Sequence, residues 1–245
     1  MINKKSKIYV AGHKGLVGSA ILRKLRFEKY SNLLFRTKKQ LDLTNQLDTY
    51  NFLKKNRPDA VIIAAAKVGG INANNTLKAE FIYENLAIQN NLIHGSYKAG
   101  VKNLIFLGSS CVYPKKCKQP IKENYLLSGY LEKTNEPYAI AKIAAIKLCE
   151  SLNLDLHSKG ISVTAICPGF IDTPLTQKNS HEMPFLISSE KAAKLISVAI
   201  EKRKALYIFP WQMNLLMSFA EKVPRWFYRG LIKVLLPILM PRRNK

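Results

Sequence analysis

A glycine turn between a short apolar run and a periodic helix opens this chain, and few folds accept that combination. Ile8 to Ala11 are apolar and end at Gly12, the pattern of a buried parallel strand. Gly12, Gly15 and Gly18 follow as GxxGxxG, and Val17, Ile21, Leu22 and Leu25 recur at helical spacing. In a strand–turn–helix unit the glycines let the backbone approach a pyrophosphate, and the helix N-terminus favours its charge. Gly12, Lys14, Gly15, Leu16, Val17 and Gly18 are therefore candidate contacts for a dinucleotide. A glycine turn with no ligand has the same pattern, so the rest of the chain decides.

Leu33 to Phe35 reads as a second strand ending in Arg36, with Lys38 and Lys39 close behind. An acidic residue at this position binds a free ribose hydroxyl, so an arginine favours a 2′-phosphate and NADP over NAD. Lys14 adds a second positive contact; the other reading of Arg36 is one solvated cation among many. Thr44 is expected to cap a helix running to about Lys55, and Pro58-Asp59 turns into a buried strand, Ala60 to Ala65. A helix is expected over Leu77 to Tyr97, stopping at Gly100, then a strand over Asn103 to Gly108. A helix from Tyr138 to near Gly160 and a strand Ile161 to Cys167, broken at Pro168-Gly169, come next. Glu190 to Lys202 reads as helix and Ala205 to Phe209 as a last strand. This alternation predicts an α/β fold with a doubly wound, Rossmann-like parallel sheet.

Tyr138 and Lys142 stand four apart on one helix face. An ammonium beside a phenol favours the phenolate and is expected to lower the tyrosine pKa towards a value useful for proton transfer. A surface Tyr–Lys pair has the same spacing. With Gly108-Ser109-Ser110 upstream and the glycine turn before it, the set reads as a nicotinamide-dependent oxidoreductase of the short-chain dehydrogenase type. The cysteines and histidines show no metal-ligand spacing, so no metal is expected. At 245 residues the chain suits one well-buried domain. Cys111, Cys117, Cys149 and Cys167 lack CxxC pairing, which fits reduced thiols in a cytoplasm, and no signal peptide is evident in Met1 to Lys7. The net charge of +23 admits anionic substrates, an anionic membrane surface or a Lys-rich proteome. Scattered lysines without a nucleic-acid motif put nucleic acid last.

From about Lys7 to Glu150 the chain resembles the GDP-L-fucose synthases, NADPH-dependent epimerase-reductases of GDP-4-keto-6-deoxymannose. The resemblance rests on Gly12-His13-Lys14-Gly15-Leu16-Val17-Gly18-Ser19, Arg36-Thr37 and Ala64-Ala65-Ala66-Lys67-Val68-Gly69-Gly70-Ile71. It continues through Gly108-Ser109-Ser110-Cys111-Val112-Tyr113-Pro114-Lys115, Gln119-Pro120-Ile121 and Thr134-Asn135-Glu136-Pro137-Tyr138. It implies a short-chain dehydrogenase/reductase architecture in a single domain, with NADP(H) contacts extending to Asp42, Leu43, Ala64, Ala65 and Ala66. It also implies that Tyr138 donates a proton as hydride reaches a carbonyl, and that Lys142 lowers its pKa and binds the nicotinamide ribose. Ser109, or its neighbour Ser110, bonds the carbonyl oxygen. Cys111 stands where the family has its base, although a buried inert cysteine is the other reading. His181, in Asn179-Ser180-His181, matches the family's acid or is a solvent-facing loop residue.

From about Ser151 the likeness turns to single-domain short-chain dehydrogenases, through Lys159-Gly160-Ile161 to Cys167-Pro168-Gly169-Phe170-Ile171-Asp172-Thr173-Pro174. In that branch Pro168, Gly169 and Thr173 would hold the nicotinamide carboxamide. The chain thus reads as a composite that ends too early for the sugar-binding lobe of a fucose synthase. Residues 1–210 are expected to form the NAD(P)-binding domain and 211–245 a basic amphipathic tail. That tail, Trp211 to Met240 with Lys222, Arg225, Arg229 and Lys233, suits either an anionic membrane surface or the cover of the sheet and a subunit interface. Three functions follow: reduction of a nucleotide-sugar ketone, reduction of another, lipid-like ketone at a membrane, or a non-catalytic dinucleotide-binding composite. A homodimer in the cytoplasm is the expected setting, with peripheral membrane contact as one of the two readings of the tail.

Overall fold

Strand and helix alternate along the chain in the computed structural model, which describes residues 2–117, 125–156, 158, 161–168, 171–172, 186–202 and 206–209. The order is β1 (Ile8–Ala11), α1 (Leu16–Phe27), β2 (Leu33–Leu34), α2 (Gln46–Asn56), β3 (Ala60–Ile63), α3 (Ile71–Thr76) and α4 (Lys78–Lys98). It continues with β4 (Asn103–Leu107), a 3-10 turn (Ser110–Val112), α5 (Glu136–Leu156), β5 (Ser162–Pro168), α6 (Ser189–Lys202) and β6 (Leu206–Phe209). The strands pair in parallel in the order β2-β1-β3-β4-β5-β6. Val10 lies beside Ile62, Ile62 beside Ile105, and Leu104 beside Val163.

Alternate residues of each strand feed two cores. Tyr9, Ala11, Val61, Ile63, Leu104 and Phe106 pack with Leu53 of α2, Leu92 and Ile93 of α4, and Ile143 and Ile146 of α5. Ile8, Val10, Ala60, Ile62, Ile105 and Leu107 face the other way, against Ile21, Leu22 and Leu25 of α1 and Ile196 of α6. Burial on both faces is why these strands read as unbroken apolar runs rather than as alternating ones.

Several elements differ from their sequence expectations for local reasons. Asn45, not Thr44, caps α2, its side chain accepting from the Asp48 amide. Thr44 instead donates its backbone N–H and its hydroxyl to Asp42 at 3.0 and 2.8 Å. The helix carrying Tyr138 begins two residues earlier, at Glu136, and ends at Leu156. The six-residue α3 had no apolar period to announce it; Asn74 holds its entry by donating to the Gly69 and Gly70 carbonyls at 2.9 and 3.1 Å. Gln119, Gly169, Thr173, His181 and the tail over 211–245 lie outside the described residues. Among the described residues no helix is long and apolar enough to cross a membrane.

The order of the strands reverses between β1 and β3, and at that point α1 is pressed onto the turn before it. A Cβ at Gly18 would stand 2.2 Å from the Gly12 carbonyl oxygen. Gly18→Ala is accordingly expected to destabilise the chain by about 1–3 kcal/mol, the usual cost of overpacking, seen as a lower midpoint in thermal denaturation followed by circular dichroism.

Candidate active site

The glycine turn has a backbone only glycine adopts readily. Gly12 has φ +82°, and a Cβ there would lie 2.6 Å from the Ala65 nitrogen and 2.7 Å from the Ala64 carbonyl carbon. The turn therefore sits directly on the backbone that continues β3, where the Ala64 N–H donates to the Ala11 carbonyl at 3.0 Å. Gly15 donates to the Gly12 carbonyl at 2.9 Å and then stands extended before α1. No side chain caps α1 and no acidic residue occupies its first turn. Its first-turn amides lack intrahelical acceptors and carry the positive end of the helix dipole, so the residues present fit a dinucleotide pyrophosphate. Leu16 is 39% exposed at the rim, while Val17 packs against the α1 side of the core.

Arg36 follows β2 at the same edge. Its guanidinium donates to the Phe35 carbonyl at 2.8 Å and lies 5.5 Å from the centre of the Phe52 ring. Lys14 is exposed on the glycine turn. The His13 ring stacks at 4.9 Å on Phe35, and burial, then the Lys14 and Arg26 charges, lower its pKa. Asp42 is fixed in a turn, its pKa lowered foremost by the backbone bond from Thr44. The Leu43 carbonyl accepts from Asn91 of α4 at 2.9 Å.

Four of the expected catalytic side chains converge at the C-terminal end of β4. Ser109 is the N-cap of the 3-10 turn, and its hydroxyl accepts from the Cys111 amide at 3.4 Å. The Ser109 side chain also acts on its neighbours, opposing the rise in the Tyr138 and Cys111 pKa values. Ser110 is exposed, so of the two serines it is Ser109 that meets Tyr138. Lys142, one turn along α5, is only 3% exposed. Its ammonium donates to the Leu107 carbonyl at 2.9 Å, 4.6 Å from the Phe106 ring centre and 5.7 Å from that of Tyr138.

The tyrosine titrates in the opposite direction from the sequence expectation. Burial raises the Tyr138 pKa, Cys111 raises it further, and only the Ser109 bond opposes them. The reason is visible in the geometry: the Lys142 ammonium is bonded to a backbone carbonyl and set over Phe106, so desolvation of the phenol dominates. Tyr138 is half-buried as a whole residue, and it is the loss of water around its phenol that sets the sign. Burial also raises the Cys111 thiol, against a hydrogen bond from Ser109 and the charge of Lys142.

The sequence reading missed the clamp on the segment after β3. Asn85 of α4, fully buried, accepts from the Lys67 amide at 2.9 Å and donates to the Lys67 carbonyl at 3.0 Å. Glu84 beside it pairs with both Lys67 and Lys38, which holds its carboxyl below the usual range, the Lys67 bond contributing most. Buried asparagines inside an otherwise apolar-periodic helix were the available signal. Pro168 ends β5 opposite Phe209, half-buried. Among the described residues no cluster of His, Cys, Asp or Glu could hold a metal.

The sequence profile of the NAD dependent epimerase/dehydratase family matches residues 8–196. This chain belongs to that family. It is 50% identical to GDP-L-fucose synthase 1 of Arabidopsis thaliana over 195 residues, covering 80% of this chain and 60% of that protein. It is 47% identical to the GDP-L-fucose synthase of Escherichia coli K12 over 186 residues, or 75% of this chain and 57% of that one. The chain thus spans about three fifths of these relatives' own length. A solved structure, a GDP-D-glycero-L-gluco-heptose synthase from Campylobacter jejuni in the presence of NADPH, superposes with a TM-score of 0.66 at 40% identity, covering 70% of this chain and 49% of that one. The family match passes through Ser151 without a boundary and extends beyond the change of likeness expected there.

A raised thiol pKa favours the protonated form, so at pH 7.5 Cys111 holds less thiolate than an ordinary cysteine, whose value is 9.0. Alkylation by iodoacetamide, mapped by peptide mass spectrometry, is expected to be slower at Cys111 in the folded chain than in urea at that pH. The rate should climb only as pH passes the ordinary cysteine value.

Proposed function

We propose that this chain is an NADPH-dependent reductase of the keto group in a GDP-linked 4-keto-6-deoxy sugar, and that it also epimerises carbons beside that group. The observation that carries this reading is the meeting of Ser109, Tyr138, Lys142 and Cys111 at the end of β4, on the same edge of the sheet as the glycine turn. The names of the relatives, two GDP-L-fucose synthases, and the NADPH in the heptose synthase structure support the substrate class and the cofactor. Neither they nor the described residues favour a lipid-like ketone or membrane contact.

NADPH supplies the hydride when bound. The chain's own residues do the rest. Gly12, Gly15 and Gly18 admit the pyrophosphate to the α1 N-terminus, with Leu16 and Val17 at its first turn and Ala64, Ala65 and Ala66 beneath. Arg36 and Lys14 supply the positive charge a 2′-phosphate requires. Ser109 positions the carbonyl oxygen against Tyr138, and burial keeps the phenol protonated at neutral pH, the form that a proton donor needs. Lys142, held at the end of β4 by the Leu107 carbonyl, is the residue that would bind a ribose hydroxyl. Cys111 acts as the base beside the keto group, with Lys142 as the charge that opposes burial at its sulfur. His181 as acid partner, Pro168, Gly169 and Thr173 at the carboxamide, a tail over 211–245 and a homodimer complete the reading.

Tyr138→Phe is expected to lower turnover of GDP-4-keto-6-deoxymannose by at least about a hundredfold, the lower range for general acid catalysis, while the Kd for NADPH stays within a factor of two by fluorescence titration. Undiminished turnover would remove Tyr138 from the chemistry. Arg36→Asp is expected to raise the Kd for NADPH by about ten- to a hundredfold, the worth of a charge-assisted bond, with little effect on NADH. Equal losses for both cofactors would show that Arg36 acts on the fold rather than on the 2′-phosphate.

A further inference from the structure

A cleft of about 410 Å³ opens at the other end of the sheet, lined by Lys54, Arg57, Asp59, Lys98, Gly100 and Lys102 among others. Lys54 and Arg57 close α2, and Lys98 closes α4. Asp59 immediately precedes β3 and Lys102 immediately precedes β4. The cleft therefore lies at the N-terminal ends of the strands. The five residues of β4 separate it from the Ser109 site by roughly 15 Å or more.

Four basic residues line this cleft, and among the described residues none of them pairs with a carboxylate. The ion pairs formed elsewhere use Lys4, Arg23, Lys24, Lys38, Lys67, Lys115 and Lys147. The one carboxylate in the cleft, Asp59, already accepts the Lys7 amide at 2.7 Å. Lysines near helix C-termini often serve to satisfy the last carbonyls. Here that work is done by the backbone and by Lys7, whose ammonium donates to the Asn56 carbonyl at 2.8 Å. Arg57, at φ +43°, donates its N–H to the Leu53 carbonyl at 2.8 Å, and after α4 the Gly100 and Val101 amides donate to Tyr97 and Ser96 at 3.0 Å each. Four positive charges set against Asp59 and two helix ends worth about half a charge each leave a local excess of about +2.

We infer that this cleft is a second anion site, which takes the diphosphate group of a small polyphosphate. Its volume lies within the range of small-ligand pockets, and its chemistry is that of phosphate recognition: one planar guanidinium fork and three mobile ammonium groups around a concave wall. The site is independent of the dinucleotide cradle, because the two occupy opposite ends of the strands.

The test is isothermal titration of the full chain with inorganic pyrophosphate, at low ionic strength, alone and with saturating NADPH. With NADPH filling the dinucleotide cradle one site is expected to remain, weakened by added salt. A chain with Lys54, Arg57, Lys98 and Lys102 all replaced by Gln is expected to bind at least about tenfold more weakly, the loss of roughly one charge-assisted bond. A control with Lys78, Lys133, Lys191 and Lys194 replaced by Gln has the same net charge and is expected to bind like the parent. Titration with ADP separates the sources: tighter binding than pyrophosphate assigns a nucleotide, weaker binding the free ion, and either keeps the site. No heat with pyrophosphate, loss of all pyrophosphate binding under saturating NADPH, or equal losses in the two variants would overturn the inference. Failure of NADPH to bind would count against the proposed reductase and leave the pyrophosphate titration without NADPH intact.

Discussion

The contact between the Gly12 turn and the Ala64–Ala65 backbone is the constraint on which the rest of the molecule depends. A Cβ at either Gly12 or Gly18 would press into backbone at 2.2–2.7 Å. Such closeness is possible only if β1 and β3 are neighbours in a parallel pair, with α1 leaving directly over the turn. The pairing of Val10 with Ile62 and of Ala11 with Ile63 supplies that. Once α1 is seated there, its uncapped first turn faces the crevice where the strand order reverses, and the basic edge after β2 comes beside it. The cradle is thus a consequence of backbone packing, and its selectivity for charge follows from the absence of any side-chain cap.

The catalytic group is organised by a buried charge. Lys142 is almost completely enclosed, and a buried ammonium is costly unless it is bonded. Its bond to the Leu107 carbonyl ties α5 to the end of β4, so Tyr138 and Ser109 are brought together by the same contact that satisfies the charge. The ring of Phe106 beneath the ammonium adds a cation–π contact. In this arrangement the lysine anchors the tyrosine's helix, and desolvation of the phenol sets its protonation. A proton donor benefits from that order of effects; a base would not.

Much of this was legible in the sequence because it depends on local periodicity. Apolar runs buried on both faces, the glycine spacing and the YxxxK spacing each report a short-range pattern, and the parallel sheet and the convergence at β4 follow from them. What was not legible depends on long-range geometry. The direction of the Tyr138 shift turns on how deeply the fold buries the phenol, and the Leu107 carbonyl that holds Lys142 beside it is 35 residues away in sequence. The Asn85 clamp joins residues 18 apart and leaves no spacing signature; its one local cue is an asparagine inside an apolar-periodic helix, which does not name its partner. Thr44 and Asn45 are both good caps, and the choice between them was made by Asp42, which engages the threonine first.

The distribution of charge is the feature that composition hides. A net charge of +23 reads as a uniform excess, yet the structure divides it. Near the cradle, Glu84 holds Lys38 and Lys67 in pairs, while Arg36, Lys14 and Arg26 stand near the glycine turn outside such pairs among the described residues. At the opposite end, Asp59 is occupied by a backbone amide and the helix ends are closed by their own backbone and by Lys7, which leaves Lys54, Arg57, Lys98 and Lys102 lining one cleft. Mutual repulsion among four such groups costs stability unless a counter-charge offsets it. Helix dipoles supply part of that offset. The remainder gives this end of the sheet an attraction for anions that does not depend on the chemistry at the other end.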